Sequence, residues 1–406
     1  MLCRICNKKI SNIFTNLGKS PLANSYLEKK SIKEKYYPLK VFYCKNCYLP
    51  QLPQHFYAKK IFKNYDYFSS YSTTWLSHCK KFVDDVIFNL KLNKKKKICE
   101  IASNDGYLLQ YFKKKKFCVL GVEPAENVAK VAIKYKKIPT IIKFFGLKNA
   151  LIIKKKYGLQ DLIICNNVLA HVPNIIDFVL GLKNLLSEKG IITIEFPHFY
   201  NLIKKVQFDT IYHEHFSYLS LTAIIKLFER FKLNIFNVKK LKTHGGSLRV
   251  YIKHKNNKNF SENKKITKIT NMEKNSKIFS DKTFLQFNKK IAYIKNKTKN
   301  FLHNLKKKNK KIIIYGAAAK GNTFLNYCGI NNKLVNFAVD KSQSKIGKFL
   351  PGSKIPIYAT NKIYSFKPDY IMIMPWNLKD EIIKEVKKDK FTGKFLTFIP
   401  DIKVYQ

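Results

Sequence analysis

Short apolar segments alternate with longer amphipathic segments from Lys97 onwards, and this alternation restricts the fold more strongly than any other feature of the sequence. Strands that alternate with helices predict βαβ units and a mostly parallel sheet, with ligands at the carboxyl ends of the strands. Each predicted strand ends in polar or turn residues: KICEIAS, FCVLGVEPA, DLIICNNV and GIITIEFP. We expect LNIFNVKKL and SLRVYIKH to complete this sheet.

The same alternation returns near the C-terminus, after a lysine- and asparagine-rich connector at residues 255 to 300. Strands and turns are predicted there in KIIIYGAAAKGNTFLNY, VNFAVDKS and PDYIMIMPW. The sequence therefore predicts an α/β protein of three parts. They are a small N-terminal module (1–70), a Rossmann-like domain (71–255), and a helical connector with a second Rossmann-like domain (256–406).

Four cysteines form two C-x-x-C pairs near the N-terminus, Cys3 with Cys6 and Cys44 with Cys47. Tetrahedral Zn²⁺ is typically held by four thiolates that two such pairs present. The N-terminal sequence MLCRICNKKI lacks the apolar segment of a signal peptide, and disulfides are rare in a reducing compartment. The pairs therefore predict a structural zinc ion in a cytoplasmic protein.

A tight turn follows the first predicted strand, in ICEIASNDGYLL, and its small residues would let a cofactor approach the backbone. The next strand ends in GVEPA, whose acid could accept hydrogen bonds from both ribose hydroxyls of an adenosine. The pattern fits a dinucleotide and S-adenosylmethionine equally well. An ordinary turn is the alternative, because the full G-x-G-x-x-G is absent. The residues concerned are Glu100, Ala102, Asn104, Asp105, Gly106 and Glu123.

A third predicted strand, in DLIICNNVLAHVPN, ends in Asn166 and Asn167, and His171 follows one helical turn later. In a class I methyltransferase the methyl acceptor would lie at this strand end. The N/D-P-P-Y/F motif of enzymes that methylate planar amino nitrogens is missing, which disfavours bases and glutamine as acceptors. A histidine in the core with satisfied hydrogen bonds is the alternative interpretation of His171.

The segment TIYHEHFSYLS places two histidines, an acid and two tyrosines within seven positions, from Tyr212 to Tyr218. Either as a strand or as a helix, this segment would bring Glu214 close to Tyr218. A polar loop is the structural alternative, and a metal site is disfavoured because no further acidic or histidine cluster completes it. The segment is therefore a candidate for acid–base chemistry.

These motifs, in this order, resemble those of the three-domain, zinc-containing sugar C-methyltransferases, and the resemblance covers essentially the whole chain. The resemblance is carried by the paired cysteines with PLANSYL between them, DYFSSYS, EIASNDGYLL, NNVLAHVPN, YHEHFSYLS, THGGSLRVY and YGAAAKGNTFLN. It implies a class I S-adenosylmethionine (SAM) methyltransferase core at 71–255. It also implies methyl transfer to a carbon beside the ketone of a 4-keto-deoxy nucleotide sugar, linked to dTDP, CDP or GDP, which the C-terminal domain helps to hold.

By this resemblance, the SAM site is formed by Glu100, Ala102, Asn104, Asp105, Gly106, Glu123 and Asn166. Ala102 stands where the family usually has its first glycine. The positions that match the surroundings of the sugar ring are Tyr67, His171, Tyr212, Glu214 and His215. A proton beside a ketone is weakly acidic, so a base must remove it while a donor stabilises the enolate oxygen. We expect His215 to be the base, oriented by Glu214, and His171 and Tyr212 to hydrogen-bond the enolate oxygen.

The formal charge of +52 would ordinarily indicate a nucleic acid or anionic surface as partner. Only Arg4, Arg230 and Arg249 are arginines, however, and phosphate or base recognition favours the guanidinium group. We therefore expect no nucleic-acid partner, and no membrane partner because no apolar segment approaches 20 residues. A zinc-knuckle RNA-binding protein is one alternative. An NAD-dependent nucleotide-sugar oxidoreductase is another, because YGAAAKGN and Asp340 imitate a dinucleotide motif.

Overall fold

The computed structural model describes residues 1–56, 68–388 and 391–406, which form three sheets surrounded by helices. The strands are β1 (Ile13–Ser20), β2 (Tyr37–Cys44), β3 (Leu49–Gln51), β4 (Lys97–Ile101), β5 (Cys118–Val122), β6 (Thr140–Ile141), β7 (Gln160–Asn166), β8 (Leu186–Pro197), β9 (Leu233–Leu241), β10 (Ser247–His254), β11 (Ile312–Tyr315), β12 (Ala338–Asp340), β13 (Ile357–Ala359), β14 (Tyr370–Ile373), β15 (Lys394–Thr397) and β16 (Lys403–Tyr405).

The longest helix of the described residues, with 27 residues, lies in the connector. The helices are α1 (Thr73–Asn89), α2 (Leu109–Lys114), α3 (Glu126–Lys134), α4 (Leu147–Tyr157), α5 (Ile175–Leu185), α6 (Phe199–Lys204), α7 (Leu221–Glu229), α8 (Lys265–Asn275), α9 (Asp281–Lys307), α10 (Ala319–Cys328), α11 (Lys362–Phe366) and α12 (Lys379–Lys387). Single 3₁₀ turns lie at Ser69–Tyr71, Leu169–His171, Phe208–Thr210, Thr243–Gly245 and Trp376–Leu378. Among the described residues, no helix has both the length and the apolar character needed to cross a bilayer.

The N-terminal module is a three-stranded antiparallel sheet in the order β1-β2-β3. Alternate residues of β2 (Leu39, Val41 and Tyr43) are buried, which is the period-two pattern of a sheet with one covered face. Phe14 of β1 contacts Phe284 of the connector helix α9, with ring centroids 4.9 Å apart. The module is therefore packed against the rest of the protein rather than tethered to it.

The central sheet has the strand order β6-β5-β4-β7-β8-β10-β9, in which β10 is antiparallel to both neighbours and the other pairs are parallel. The predicted parallel sheet is confirmed, and the two segments expected to complete it form β9 and β10. Strands β4 and β7 are almost entirely buried because helices cover both faces of the sheet. The strand order reverses between β4 and β7, so a crevice opens at their carboxyl ends.

The C-terminal sheet follows the order β13-β12-β11-β14-β15-β16, with only the β15–β16 pair antiparallel. This is the strand order of a Rossmann fold, and it confirms the predicted second α/β domain. The strands of each sheet fall within one predicted segment, and the exact boundaries at residues 70 and 255 stay predictions.

The connector contains more structure than its polar composition suggests. Helix α9 spans 27 residues and is capped by the preceding Ser280, whose hydroxyl accepts a hydrogen bond from the Thr283 backbone N–H. It buries apolar side chains at spacings of three and four, namely Phe284, Phe287, Ile291 and Ile294. The connector is therefore a packed helix that carries the C-terminal domain.

The histidine loop, residues 211–219, forms neither a helix nor a strand, so the expected regular structure is wrong here. Backbone hydrogen bonds hold it on one side to the N-terminal module, from Leu52 N–H to Phe216 C=O and from Tyr218 N–H to Pro50 C=O. On the other side, the Phe216 N–H donates to the carbonyl of Ala170, beyond β7. Tertiary contacts thus fix this loop beside the central crevice.

Candidate active site

The four paired cysteines meet in one cluster, in which all sulfur atoms lie within 4.8 Å of one another. The Cys6 and Cys44 sulfurs are 3.7 Å apart. Each pair closes a similar turn, because Asn7 N–H donates to Cys3 C=O and Tyr48 N–H donates to Cys44 C=O. Asn7 and Tyr48 both have positive φ, at 59° and 57°. Four soft donors at this spacing fit tetrahedral zinc and leave no position for catalysis.

The turn after β4 holds the predicted cofactor residues in a strained backbone. Ala102 has a φ of 58° and Asn104 a φ of 47°, a region that disfavours residues with a Cβ atom. Gly106 has a φ of 74°, and a Cβ on it would lie 2.6 Å from Ile138 Cδ1. A glycine at position 102 would adopt the same conformation without strain. The alanine that replaces the family's usual glycine therefore strains the backbone of this turn.

Several polar atoms beside this turn are buried without a hydrogen bond of ordinary geometry to the described residues. They include both carboxylate oxygens of Glu100 at the end of β4 and both side-chain polar atoms of Asn166 at the end of β7. Burial raises the pKa of Glu100 well above its usual value, and the nearby Tyr107 hydroxyl opposes only part of that rise. Buried polar groups of this kind require partners, so the crevice fits a polar ligand such as SAM.

Glu123 lies at the end of β5, where the sequence predicts contact with ribose hydroxyls. Its carboxylate accepts hydrogen bonds from the backbone N–H groups of Asn104 (2.9 Å) and Ala125 (2.8 Å). Burial raises the pKa of Glu123 to about 7, against the lowering effect of these two donors. The acid is therefore held rigidly at the crevice, and each oxygen keeps a second lone pair for a ligand.

The side chains of Asn104 and Asp105 also anchor the segment that precedes α1. Asn104 Oδ1 accepts from the Ser69 N–H at 2.9 Å, and Asp105 Oδ2 accepts from the Ser70 N–H at 3.3 Å. Lys136 lies 3.6 Å from Asp105. The predicted Tyr67 immediately precedes this segment but lies outside the described residues, so its place at the sugar stays a prediction.

His215 is held by two hydrogen bonds that determine its tautomer. Its Nδ1 lies 2.8 Å from the Thr210 carbonyl, which can only accept, so Nδ1 carries the hydrogen. Nε2 therefore has the lone pair, and it accepts from the Tyr212 hydroxyl at 2.9 Å. The ring of His171 contacts that of His215, with centroids 4.6 Å apart. Three of the predicted sugar-site residues are thus brought together.

Burial keeps these imidazoles uncharged. It lowers the pKa of His171 to about 4, although the Glu214 backbone opposes the change. The pKa of His215 falls well below its usual value, first through burial and then through electrostatic interaction with His171, His244 and Lys320, while the Thr210 carbonyl opposes the change. A neutral imidazole whose Nε2 carries a lone pair is the form that can accept a proton.

The predicted contact between Glu214 and His215 is wrong. The Glu214 carboxylate is 2% exposed and accepts from the Asn24 amide, whose Nδ2 lies 2.8 Å from both oxygens. Thr210 orients His215 instead, because the turn Phe208–Thr210 directs that carbonyl at Nδ1. Asn24 belongs to the PLANSYL motif, so a residue of the N-terminal module reaches the site.

His244 is a site residue to which the sequence analysis gave no role. It has a φ of 50°, its Nε2 lies 3.1 Å from the Asn167 amide, and its ring is 5.2 Å from that of Trp75. Burial and then the charge of Lys320 lower its pKa to about 4. The only available signal was the H-G-G sequence, since the two glycines permit the sharp turn that presents the ring.

A buried ion pair, Glu195 with Arg249, holds the turn Thr243–Gly245 in place. Glu195 of β8 accepts from Arg249 Nη2 of β10 at 2.7 Å and from the Thr243 hydroxyl at 2.8 Å. Burial alone would raise the pKa of Glu195, but the hydrogen bond from His78 and the charge of Arg249 lower it to about 2. Through Thr243, the ion pair therefore holds the turn that carries His244.

Three family models match consecutive parts of the chain. They are a zinc binding domain at residues 3–62, a methyltransferase domain at 75–238 and a C-methyltransferase C-terminal domain at 242–400. The matches agree with the four-cysteine cluster, the central sheet and the C-terminal sheet. They bear out the zinc ion and SAM as the cofactors of this chain.

The chain is also similar to individual proteins. C-methyltransferase NovU of Streptomyces niveus is 30% identical over 405 residues, which are 99% of this chain and 96% of that protein. A SAM-dependent methyltransferase of Clostridium acetobutylicum matches with a TM-score of 0.36 and 13% identity over 44% of this chain and 92% of its own. The PH0226 protein of Pyrococcus horikoshii OT3 matches with a TM-score of 0.36 and 13% identity, over 48% of this chain and 97% of its own.

The similarity to NovU extends from the cysteine pairs through the crevice of the central sheet to the last strands of the C-terminal sheet. The order of the three family models matches the order of the three sheets, and the cysteine cluster and the crevice have the donors that zinc and SAM require. The chain therefore belongs to the family of zinc-containing, three-domain C-methyltransferases, and it is an enzyme that transfers a methyl group from SAM.

Proposed function

We propose that this enzyme methylates a carbon beside the ketone of a 4-keto-deoxy nucleotide sugar, through an enolate. The observation that carries the proposal is the hydrogen-bonded set of Thr210, His215 and Tyr212 beside the central crevice. Methyl transfer to carbon requires a carbon nucleophile, and a base next to a ketone generates one. The full-length resemblance to sugar C-methyltransferases supplies the substrate class.

His215 acts as the base. With Nδ1 committed to the Thr210 carbonyl, only Nε2 can receive the substrate proton. The Tyr212 hydroxyl donates to Nε2 in this structure, so it must turn to the ketone oxygen when substrate binds. That change exposes the base and places a donor on the developing enolate in one movement. A positioned base contributes typically 10² to 10⁴ in rate, and an oxyanion donor contributes a similar factor.

His171 supplies a second donor toward the ketone oxygen, since its ring contacts that of His215. Its lowered pKa keeps it neutral, so it donates an N–H without competing for the substrate proton. Glu214 and Asn24 hold the loop between Tyr212 and His215 in place. These residues orient the ketone, and the buried surroundings exclude water from the enolate.

The cofactor would be held by Glu100, Ala102, Asn104, Asp105, Gly106, Glu123 and Asn166 at the ends of β4, β5 and β7. When bound, SAM supplies an electrophilic methyl group on a sulfonium. The uncommitted atoms of Glu100 and Asn166 fit its polar groups, and the oxygens of Glu123 fit ribose hydroxyls. The zinc ion would be held by Cys3, Cys6, Cys44 and Cys47, which stabilise the N-terminal module and take no part in proton transfer.

A mass measurement tests the proposal. The protein is incubated with SAM and a panel of dTDP-, CDP- and GDP-linked 4-keto-deoxy sugars, and one panel member should gain a single methyl group. In D₂O without SAM, the same sugar should exchange the hydrogen beside its ketone. His215→Asn should abolish both reactions, whereas His303→Asn, an exposed position on α9, should abolish neither. Methylation without any exchangeable hydrogen beside a carbonyl would contradict the enolate mechanism.

A further inference from the structure

Lys320 carries an ammonium group that the proposed chemistry has not used. It follows the glycine turn of YGAAAKGN at the start of α10, and it is partly buried. Its Nζ donates to the Asn377 side chain and lies 4.6 Å from the centre of the Trp376 ring. Among residues 1–56, 68–388 and 391–406, no carboxylate forms an ion pair with it. A partly buried cation of this kind requires a negative partner.

The surroundings of Lys320 place it beside the base. The indole N–H of Trp376 donates to Asp209 at 2.6 Å, in the same turn whose Thr210 carbonyl orients His215. The Trp376 ring also covers Gly245, where a Cβ atom would come within 2.4 Å of it. Lys320 therefore lies where the turns Phe208–Thr210 and Thr243–Gly245 meet the C-terminal domain.

The charged and titratable groups that act on Lys320 are few. Burial lowers its pKa and the Asp209 carboxyl opposes the change. Burial raises the pKa of Asp209 to about 6, against the charge of Lys320 and the Trp376 N–H. The charge of Lys320 lowers the pKa of His215 and of His244, and in both cases this lowering adds to that caused by burial.

The acid of the dinucleotide-like motif, Asp340, is held by two backbone donors and lies beside a lysine. The oxygens of Asp340, which would bind ribose, accept from the backbone N–H groups of Ala317 (2.7 Å) and Ser342 (2.8 Å), and Lys345 lies 3.6 Å away. The Ala317 carbonyl accepts from Lys345 and, at 2.6 Å, from the Tyr26 hydroxyl. Lys345 and Tyr26 therefore contact the backbone of the glycine turn, and Lys345 also lies beside Asp340.

The same turn is shaped to direct Lys320 towards the end of β14. Gly321 follows the lysine, and a Cβ on it would lie 2.8 Å from Met374. The absence of a side chain lets α10 begin close to β14, beside Trp376 and Asn377. Close packing on Met374 therefore explains the need for Gly321. The same packing places Lys320 beside Trp376 and Asn377, next to the central domain.

We propose that Lys320 is a catalytic residue contributed by the C-terminal domain, and that its ammonium donates to the ketone oxygen that becomes the enolate oxygen. This inference rests on the proposed function. When the C–H bond breaks, its proton passes to His215 Nε2 and its electron pair forms the enolate double bond. The carbonyl pair moves onto oxygen, where the Lys320 charge stabilises it. When the enolate carbon forms its bond to the methyl group, the S–C bond of the methyl donor breaks and its electron pair stays on sulfur. The carbonyl then reforms and Lys320 keeps its proton.

Hydrogen exchange beside the ketone, measured in D₂O without SAM, tests this role separately from methyl transfer. Lys320→Gln should slow the exchange by about 100-fold, the factor typical of one lost oxyanion donor, and should leave the substrate KM within about threefold. Lys320→Arg should restore part of the rate. Loss of the cation also raises the pKa of His215, so the acid limb of the pH profile should move to higher pH.

The matched control is Lys333→Gln, an exposed lysine of the same domain, which should behave as the unaltered enzyme. Thermal unfolding, zinc content and SAM affinity should be equal in all variants. If Lys320→Gln raises KM while exchange is unchanged, the lysine contacts another substrate group and the inference is wrong. If the unaltered enzyme neither exchanges nor methylates any 4-keto sugar, the proposed function fails and this inference fails with it.

Discussion

The side-chain amide of Asn24 lies 2.8 Å from both carboxylate oxygens of Glu214, so the N-terminal module holds an acid of the histidine loop. The segment around Asn24 also reaches the C-terminal domain, where the Asn322 amide donates to the Ala23 carbonyl at 2.6 Å. Burial raises the pKa of Glu214 to about 7, and the Asn24 donor opposes this rise. The segment Ala23–Asn24 therefore contacts both of the other domains.

Replacing this donor should make stability depend more strongly on pH. The pKa of Glu214 in the folded protein exceeds its ordinary value near 4.3, so its contribution is fully present below about pH 4 and is lost as pH rises through about 7. Asn24→Ala leaves the ionised carboxylate without its amide donor, which costs about 1–3 kcal/mol at pH 8 and less at pH 5.5. Thermal unfolding at both pH values measures the difference.

The control for this prediction is Asn16→Ala in β1, because the Asn16 side chain is exposed and only accepts from the Gly18 N–H. It should change the unfolding temperature little at either pH. An equal loss of stability at pH 5.5 and pH 8 for Asn24→Ala would show that the charge of Glu214 is not involved.

Removal of zinc should disrupt the active site as well as the N-terminal module. Cys44→Ser breaks the four-sulfur cluster, and the segment directly beyond it holds the histidine loop through Pro50 of β3 and the following Leu52. Structural zinc sites contribute folding free energy directly, so the variant should lose its metal, unfold at a lower temperature and lose methyl transfer. Metal analysis should give one zinc per unaltered chain. Cys118→Ser, at an exposed cysteine outside the cluster, should retain it.

Ala102→Gly should stabilise the protein. A residue with a Cβ costs roughly 1–2 kcal/mol in the left-handed conformation that Ala102 adopts, while the extra freedom of glycine in the unfolded chain returns about 0.5–1 kcal/mol. We expect a net gain of about 0.5–1 kcal/mol and SAM binding at least as tight, measured by chemical unfolding and calorimetry. Ala125→Gly, at an ordinary φ of −83°, should destabilise. Similar losses in both variants would contradict strain at Ala102.

Breaking the buried Glu195–Arg249 pair should cost more than any surface ion pair. Arg249→Met leaves the Glu195 carboxylate charged and buried, which costs about 3–5 kcal/mol. The double variant with Glu195→Gln should recover most of this loss, because no buried charge is then left. Arg230→Met, at an exposed position, is the control. Additive losses in the double variant would mean that the two side chains do not interact.

The pH dependence of this pair has the opposite sign to that of Glu214. The pKa of Glu195 is lowered to about 2, so its stabilisation is present above its ordinary pKa near 4.3 and is lost as pH falls towards 2. In the unaltered protein this stabilisation is therefore constant between pH 5 and pH 8. Arg249→Met removes a charge that lowers the pKa of Glu195, so burial should raise that pKa and the loss of stability should be larger at pH 8 than at pH 5. Unfolding of the unaltered protein and of the variant at both pH values measures this difference.

Much of the fold could be predicted because its signals are local. The spacing of Cys3, Cys6, Cys44 and Cys47 indicated one metal cluster, since each pair forms its turn from neighbouring residues. The alternation of apolar runs and helical segments indicated two largely parallel sheets, because strands buried on both faces are almost wholly apolar. Local signals failed for the segment around His215, which takes its shape from hydrogen bonds to β3 and to Ala170.

The sequence by itself determined the zinc ligands, the sheets and the kinds of side chain available for proton transfer, because spacing and periodicity act over a few residues. Only the tertiary structure decided that Asn24 rather than His215 contacts Glu214, and that Thr210 and Tyr212 hydrogen-bond His215. It also brings His244 and Lys320 close enough to act on His215 electrostatically. Most of these contacts join residues far apart in the chain. Their energy comes from packing and from the need of each buried polar group for a partner, which no local pattern records.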